Sequence, residues 1–239
     1  MIEAVRRKSV DAGLYAMNMP EDVGGSDVSF VTWYRAITHV FSKGRGLNQH
    51  VLAGPEGPKP LLLLAVDEQR GKYVEPVVEG RKSTAFAQTE PTVGSDSAAM
   101  QMTAEKDGDE WELNGTKQWI TNADFAQVFA RTTPQEEAGR YDGITCFIVV
   151  EDEWEFESIN NTPAEAGQQT ELLFDDVRLP AGRVLGSVDN AFYDAMGFLS
   201  VGMLELGAQV VGLAEHVLDR AQPVVEDISI FNWFSTQTY

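Results

Sequence analysis

Hydrophobic spacing changes twice along this chain, and that change restricts the folds open to it. Residues 1 to about 82 read as helical, residues 83 to 186 carry short alternating segments, and from residue 187 the apolar steps return to three and four. Helix and strand never alternate with each other, so a doubly wound parallel sheet is not expected. The expected class is α+β. It has an N-terminal helical domain (1–82), a central antiparallel β-sandwich or barrel domain (83–186), and the start of a C-terminal helical bundle (187–239).

Within the first zone, Val28–Ser42 places Phe30, Trp33, Tyr34, Ile37, Val40 and Phe41 on one helical stripe, with Gly44 and Gly46 as stop signals. Asp67–Glu75 predicts a short helix leading to a turn at Gly80. In the middle zone, Met100–Ala104 and Glu110–Asn114 alternate around Asp107-Gly108, a hairpin signal. Further strands are expected at Gln127–Arg131, Ile144–Val150 and Glu171–Phe174. In the last zone the apolar stripe runs from Phe192 through Met196, Leu199, Met203, Leu206, Val210 and Leu213 to Val217 and Leu218. Asp189 or Asn190 is positioned to cap this helix and Pro223 to end it. A helix of that length needs partner helices, and none follow it in the sequence.

Charge excludes several partners. There are 37 Asp and Glu against 18 Lys and Arg, a net charge of −19. Nucleic acid and anionic membrane surfaces both need clustered cations. The longest unbroken apolar run, Leu61–Val66, is far short of the ~20 residues of a membrane span. The N-terminus lacks the apolar core of a secretory signal. One cysteine, Cys146, cannot form an intrachain disulfide, and His39, His50 and His216 lack metal-ligand spacing. With 11 Arg and 7 Lys, the acidic surface suits a salt-adapted, halophilic cytoplasm or is simply a solvated acidic surface. A cytoplasmic location is expected.

Two segments can carry a ligand. Phe86–Asp96 (FAQTEPTVGSD) is rich in small and hydroxyl residues and can offer backbone N–H groups with the hydroxyls of Thr89 and Ser95. In Gly115–Asn122 (GTKQWITN), Trp119 and Thr121 fall on one side of a strand. An indole beside a hydroxyl forms a wall for a planar heteroaromatic ligand. A hairpin turn with a core tryptophan is the other reading of the same residues.

The run TEPTVGSD followed by DGDEWELNGTKQWITNA resembles the acyl-CoA dehydrogenase flavoprotein family. The similarity extends to GLYAMNMPEDVGG (13–25), HVLAGPEGPKPLLLLAVDEQRGKYVEPVVEG (50–80) and ELLFDDVRLPAGRVLG (171–186). It implies an FAD enzyme that dehydrogenates an acyl-CoA thioester between its α and β carbons. It also implies an electron-transfer flavoprotein as acceptor and a homo-oligomer. By the same resemblance, Phe86, Gln88 and Thr89 line the flavin, with the Thr89 hydroxyl bonding the ring. Gly94 permits close approach, and Ser95 meets both cofactor and the CoA part of the substrate. Trp119, Ile120 and Thr121 match the second flavin segment. Glu90 and Asp96 read as loop-structuring carboxylates.

The chain departs from the family on its last helix. Ser200 and Met203 stand where members usually carry Asp and Arg, and Gly202 stands where a minority place the catalytic glutamate. Glu205, one turn further, is either a displaced base or a helix-surface or capping glutamate. The alternative to an active enzyme is a catalytically silent FAD- or acyl-CoA-binding fragment; an oxidase-type relative using O₂ is a third reading. The tail 223–239 does not resemble the family, and Ile228–Phe234 reads as an aggregation-prone window. On this reading the chain is a family member cut short.

Overall fold

A computed structural model describes residues 1–53, 57–121, 124–158 and 169–227. Asn122 of the second segment and Ile228–Phe234 therefore lie outside the described residues.

The N-terminal part contains α1 (Ile2–Asp11), α2 (Phe30–Ser42), α3 (Asp67–Gln69) and α4 (Glu75–Val78), the last two joined by a π-helical turn at Arg70–Val74. Ser29 starts α2 by accepting the Thr32 N–H at 3.3 Å. Gly44 (φ +96°) stops it, its N–H returning to the Phe41 carbonyl. The expected stripe of α2 is largely buried at Trp33, Ile37 and Phe41, whereas Phe30 at the first turn is exposed.

Among the described residues, eight strands form one mostly antiparallel sheet: β1 (Thr84–Ala87), β2 (Thr103–Asp107), β3 (Glu110–Thr121), β4 (Phe125–Arg131), β5 (Ile144–Val150), β6 (Glu155–Ser158), β7 (Gln169–Pro180) and β8 (Val184–Leu185). Their order is β6-β7-β3-β2-β4-β5-β8, with β1 added parallel to β4. The β2–β3 hairpin closes at Asp107–Glu110, with Gly108 at φ +61°. Met100 stays outside β2, because its segment is held by Glu90 instead of by the ladder.

β4 and β5 are buried on both faces, which explains the unbroken run ITCFIVV. Phe125, Phe129, Ile144, Cys146 and Ile148 enter a core shared with Tyr15, Leu62 and Val77 of the helical part. Ala126, Val128, Phe147 and Val149 face a second core with Leu113, Leu172 and Phe174 of β3 and β7. Burial pushes the Cys146 thiol well above its ordinary value, and the Asp194 charge adds to this. We therefore expect iodoacetamide at mildly alkaline pH to leave the folded protein unlabelled and to alkylate Cys146 once denaturant is added. Labelling of the native protein at the rate of a free thiol would contradict its burial.

The last helix, α6 (Ala191–Asp227), corrects the sequence reading in four ways. Its partner exists, and it is α2. Gly212 packs so closely that a Cβ there would lie 2.3 Å from the Thr38 carbonyl oxygen. Thr38 Oγ1 donates to the Ala208 carbonyl (3.3 Å), and His216 Nδ1 donates to the Ser42 carbonyl (3.2 Å). Second, of the expected stripe Phe192, Met196 and Leu213 pack inward, small and polar residues share the face turned to α2, and Met203, Leu206, Val210, Val217 and Leu218 are exposed. Third, Pro223 does not end the helix: its fixed φ is helical, and the turn is solvent-exposed, so α6 continues at the loss of one backbone bond. Fourth, α6 is long and apolar enough, by length and composition alone, to cross a membrane. Unbroken apolar runs do not reveal this because Glu205 and four glycines punctuate the helix. Asp189 spends its carboxylate on the hydroxyls of Thr132 (2.6 Å) and Thr133 (3.0 Å), before the helix begins.

Candidate functional site

A cavity of about 530 Å³ opens between α2, α6, β1 and the end of β3. Trp33 and Phe41 line it from α2, and Phe198 and Leu206 from α6. Phe86 lines it from β1. Its ring stands 5.0 Å from Phe129 in the core and 5.0 Å from Phe198 on α6, so three aromatic rings bridge sheet and helix. The volume lies in the range of small-molecule sites, roughly 300–1,000 Å³.

The β3 side of the cavity is built by a bulge. Register with β7 shifts between Lys117↔Leu172 and Ile120↔Thr170, so β3 spends one residue more than its partner. Trp119 takes up the excess in a left-handed conformation, φ +63°. For a bulky L-residue that costs on the order of 1–3 kcal/mol, so the surrounding structure must enforce it. The result turns the indole outward, 51% exposed, beside Thr121 on the cavity wall. Regular alternation is broken, yet the two side chains still share the cavity. Ile120 points the other way, into the sheet core, so only its backbone can face a ligand.

The strand end at Gln88–Glu90 runs behind this wall. The Gln118 N–H donates to the Thr89 carbonyl (2.9 Å). Lys117 is fully buried, with Nζ donating to Glu90 Oε1 (2.8 Å) and to the Gln88 carbonyl (3.2 Å). Burial lowers the Lys117 pKa from its ordinary value, and the neighbouring Glu90 charge pulls it back up. Glu90 also accepts the N–H groups of Gln101 (2.7 Å) and Met102 (3.1 Å). Asp96 pairs with Arg140 at 2.6 Å on the surface. Both carboxylates are thus engaged in holding loops. Lys117 carries no motif role in the sequence, although a lysine inside an alternating strand is the kind of signal that marks a buried, paired charge.

Of the residues singled out from the sequence, Phe86, Trp119, Thr121 and Glu205 line the same cavity. Thr89 is half-buried at the strand end, and the buried Gln88 side chain has an Nε2 without a hydrogen-bond partner. Gly94 and Ser95 are exposed on the turn beyond, outside the cavity lining. Glu205 is neither a surface nor a capping residue. It is half-buried in mid-helix, accepts the Trp33 indole N–H at 2.8 Å, and faces the cavity. The Tyr34 phenol next to it is pushed up by burial and then by the Glu205 charge. Gly202 also lines the cavity, with open space where a Cβ would stand. Ser200 turns its hydroxyl back onto the Met196 carbonyl. Among the described residues, no group of three or more His, Cys, Asp or Glu is placed to hold a metal.

An unpartnered buried donor at Gln88, a half-buried hydroxyl at Thr89 and an outward indole at Trp119 are groups able to bond the edge and cover the face of a flat ring. Residues 85–177 match the family model for the middle domain of acyl-CoA dehydrogenases. The chain is 35% identical over 221 residues to an acyl-CoA dehydrogenase of Bacillus subtilis, covering 87% of this chain and 56% of that protein. It is 33% identical over 223 residues to a subunit of the caffeyl-CoA reductase–Etf complex of Acetobacterium woodii, covering 90% and 58%. The solved acyl-CoA dehydrogenase of Geobacillus kaustophilus superposes with a TM-score of 0.82 at 27% identity, over 95% of this chain and 61% of that one. The chain therefore spans about three-fifths of the length of such relatives.

Proposed function

Because the chain belongs to the acyl-CoA dehydrogenase family, we propose that its cavity takes FAD and an acyl-CoA thioester and supports dehydrogenation between the α and β carbons. The observation that carries this reading is the wall itself: Phe86, Trp119 and Thr121 converge on one cavity, and Gln88, two residues after Phe86, has a buried amide without a partner. FAD, when bound, supplies the hydride-accepting chemistry. The residues of this chain do the rest. Trp119 offers a flat apolar face for a ring. The hydroxyls of Thr89 and Thr121 and the Gln88 amide are available to fix ring edges. Gly94 and Ser95, on the exposed turn, suit the outer, polar part of cofactor or substrate.

Apolar side chains from α2 and α6 exclude water around the acyl chain. The α-proton of a thioester is weakly acidic, so a base in a dry site is required. Glu205 is the carboxylate among the described residues lining the cavity and is our candidate, oriented by the Trp33 indole. The same bond chemistry read backwards is reduction of an enoyl-CoA, as in the named function of the Acetobacterium relative. That relative's complex also supports an electron-transfer flavoprotein as redox partner. The exposed apolar face of α6 suits further helices or a second copy of the chain.

Mixing the purified protein with FAD is expected to give a yellow complex whose flavin absorbance bleaches under nitrogen when a short-chain acyl-CoA is added. Glu205→Gln is expected to retain FAD and slow bleaching by ~10²-fold or more, the scale of losing a general base. Failure of the wild-type chain to bind FAD would refute the site, and unchanged bleaching in the variant would remove Glu205 from the reaction.

A further inference from the structure

Lys117 carries a charge into a place where nothing is exposed. Its ammonium donates to the Glu90 carboxylate and to the Gln88 carbonyl, while Glu90 holds Gln101 and Met102. One ammonium thereby ties together the exit of β1, the approach to β2 and the β3 bulge. The bulge is where the β3–β7 ladder loses register, so ladder bonds alone do not fix it. Two residues beyond Lys117, Trp119 is held in the left-handed region, and one residue beyond, the Gln118 N–H reaches across to Thr89.

We propose that Lys117 is a positioning residue: with Glu90 it clamps the strand end at Gln88–Glu90 to the β3 bulge and so holds Thr89 and Trp119 at the spacing a planar ring ligand needs. This rests on the reading that the wall takes flavin, so the test reads the wall both with and without it. Ammonium suits the task because it can donate to a carboxylate and a carbonyl at once. An apolar residue could fill the space but could not grip the Gln88 carbonyl.

Lys117→Met alone strands a buried Glu90 charge and reports mainly on folding. The informative form is the neutral pair Lys117→Met with Glu90→Gln, compared with wild type by hydrogen exchange on the whole chain. In the apo protein, the Gln118 amide is expected to exchange about tenfold faster in the double variant, with the β2–β3 hairpin amides unchanged. Its FAD dissociation constant is expected to rise about tenfold as well. Wild-type exchange at Gln118 in the folded double variant overturns the proposal. So does a uniform rise across hairpin and bulge, which would mark a role in stability alone. If the double variant does not fold, the isosteric Glu90→Gln is judged by the same Gln118 readout. If wild type binds no FAD, the flavin reading fails, while the apo exchange still decides whether the clamp exists.

Discussion

Replacing Gly212 with leucine is expected to separate α6 from α2 and lower the melting temperature by roughly 4–8 °C. A Cβ at this position meets the Thr38 carbonyl oxygen at 2.3 Å, Phe41 Cβ at 2.9 Å and the Ser42 nitrogen at 3.0 Å. Two of the three are backbone atoms, so no rotamer change relieves the clash and the helices must move apart. Overpacking costs ~1–3 kcal/mol, and backbone obstruction puts this site at the upper end. Removing a helical glycine returns up to about 1 kcal/mol of propensity. The clash wins by about 2 kcal/mol, or ~2–4 °C per kcal/mol for a chain of this size. Separation also draws Glu205 away from Trp33, so tryptophan emission is expected to shift to the red. Gly212→Ala should show a smaller loss of the same kind. A leucine variant that melts like wild type would mean that α2 and α6 do not pack in solution as described.

Phe129→Ala is expected to cost more, about 3–5 kcal/mol, which corresponds to a fall of roughly 6–20 °C. Phe129 is fully buried on the helix-facing side of β4 and supports the ring of Phe86 at 5.0 Å. Its loss leaves a void that rigid strands on either side cannot close, because β4 pairs with both β1 and β5. Phe86 then has space to drop out of the cavity wall, so FAD affinity should fall together with stability. Phe129→Leu, which fills much of the void, should recover most of the loss. Thermal melts of the three proteins with and without FAD check both effects. Full stability in the alanine variant would show that β4 is not the centre of the core.

Much of the fold was legible because the relevant signals are local. Ile144–Val150 was read to the residue, since a short apolar run between turns has few other uses. The hairpin at Asp107-Gly108 declared itself through residues that tolerate a left-handed backbone. Trp119 and Thr121 were legible as a pair, and both reach the cavity, but by a bulge that alternation does not anticipate. Other residues eluded sequence reasoning for identifiable reasons. The long apolar stripe of α6 suggests one buried face, whereas packing on α2 takes only Leu213 from it beside Gly212, Ala208 and His216, because close helix approach rewards small size and hydrogen bonding. Lys117 looked like one charge in a polar motif; only its partner Glu90, 27 residues away, accounts for its burial.

The sequence by itself determined the order of helical, β and helical parts, the hairpin turn at Asp107-Gly108, the strand Ile144–Val150 and the motif residues that mark the family. These follow from periodicity and from the backbone preferences of individual residues, which act over a few positions. The tertiary structure alone decided that α2 is the partner of α6, that Trp33 and Glu205, 172 residues apart, meet across a cavity, and that Trp119 adopts φ +63°. Each of these depends on which distant surfaces fit together and which buried polar groups must then be satisfied. Local patterns carry no record of either.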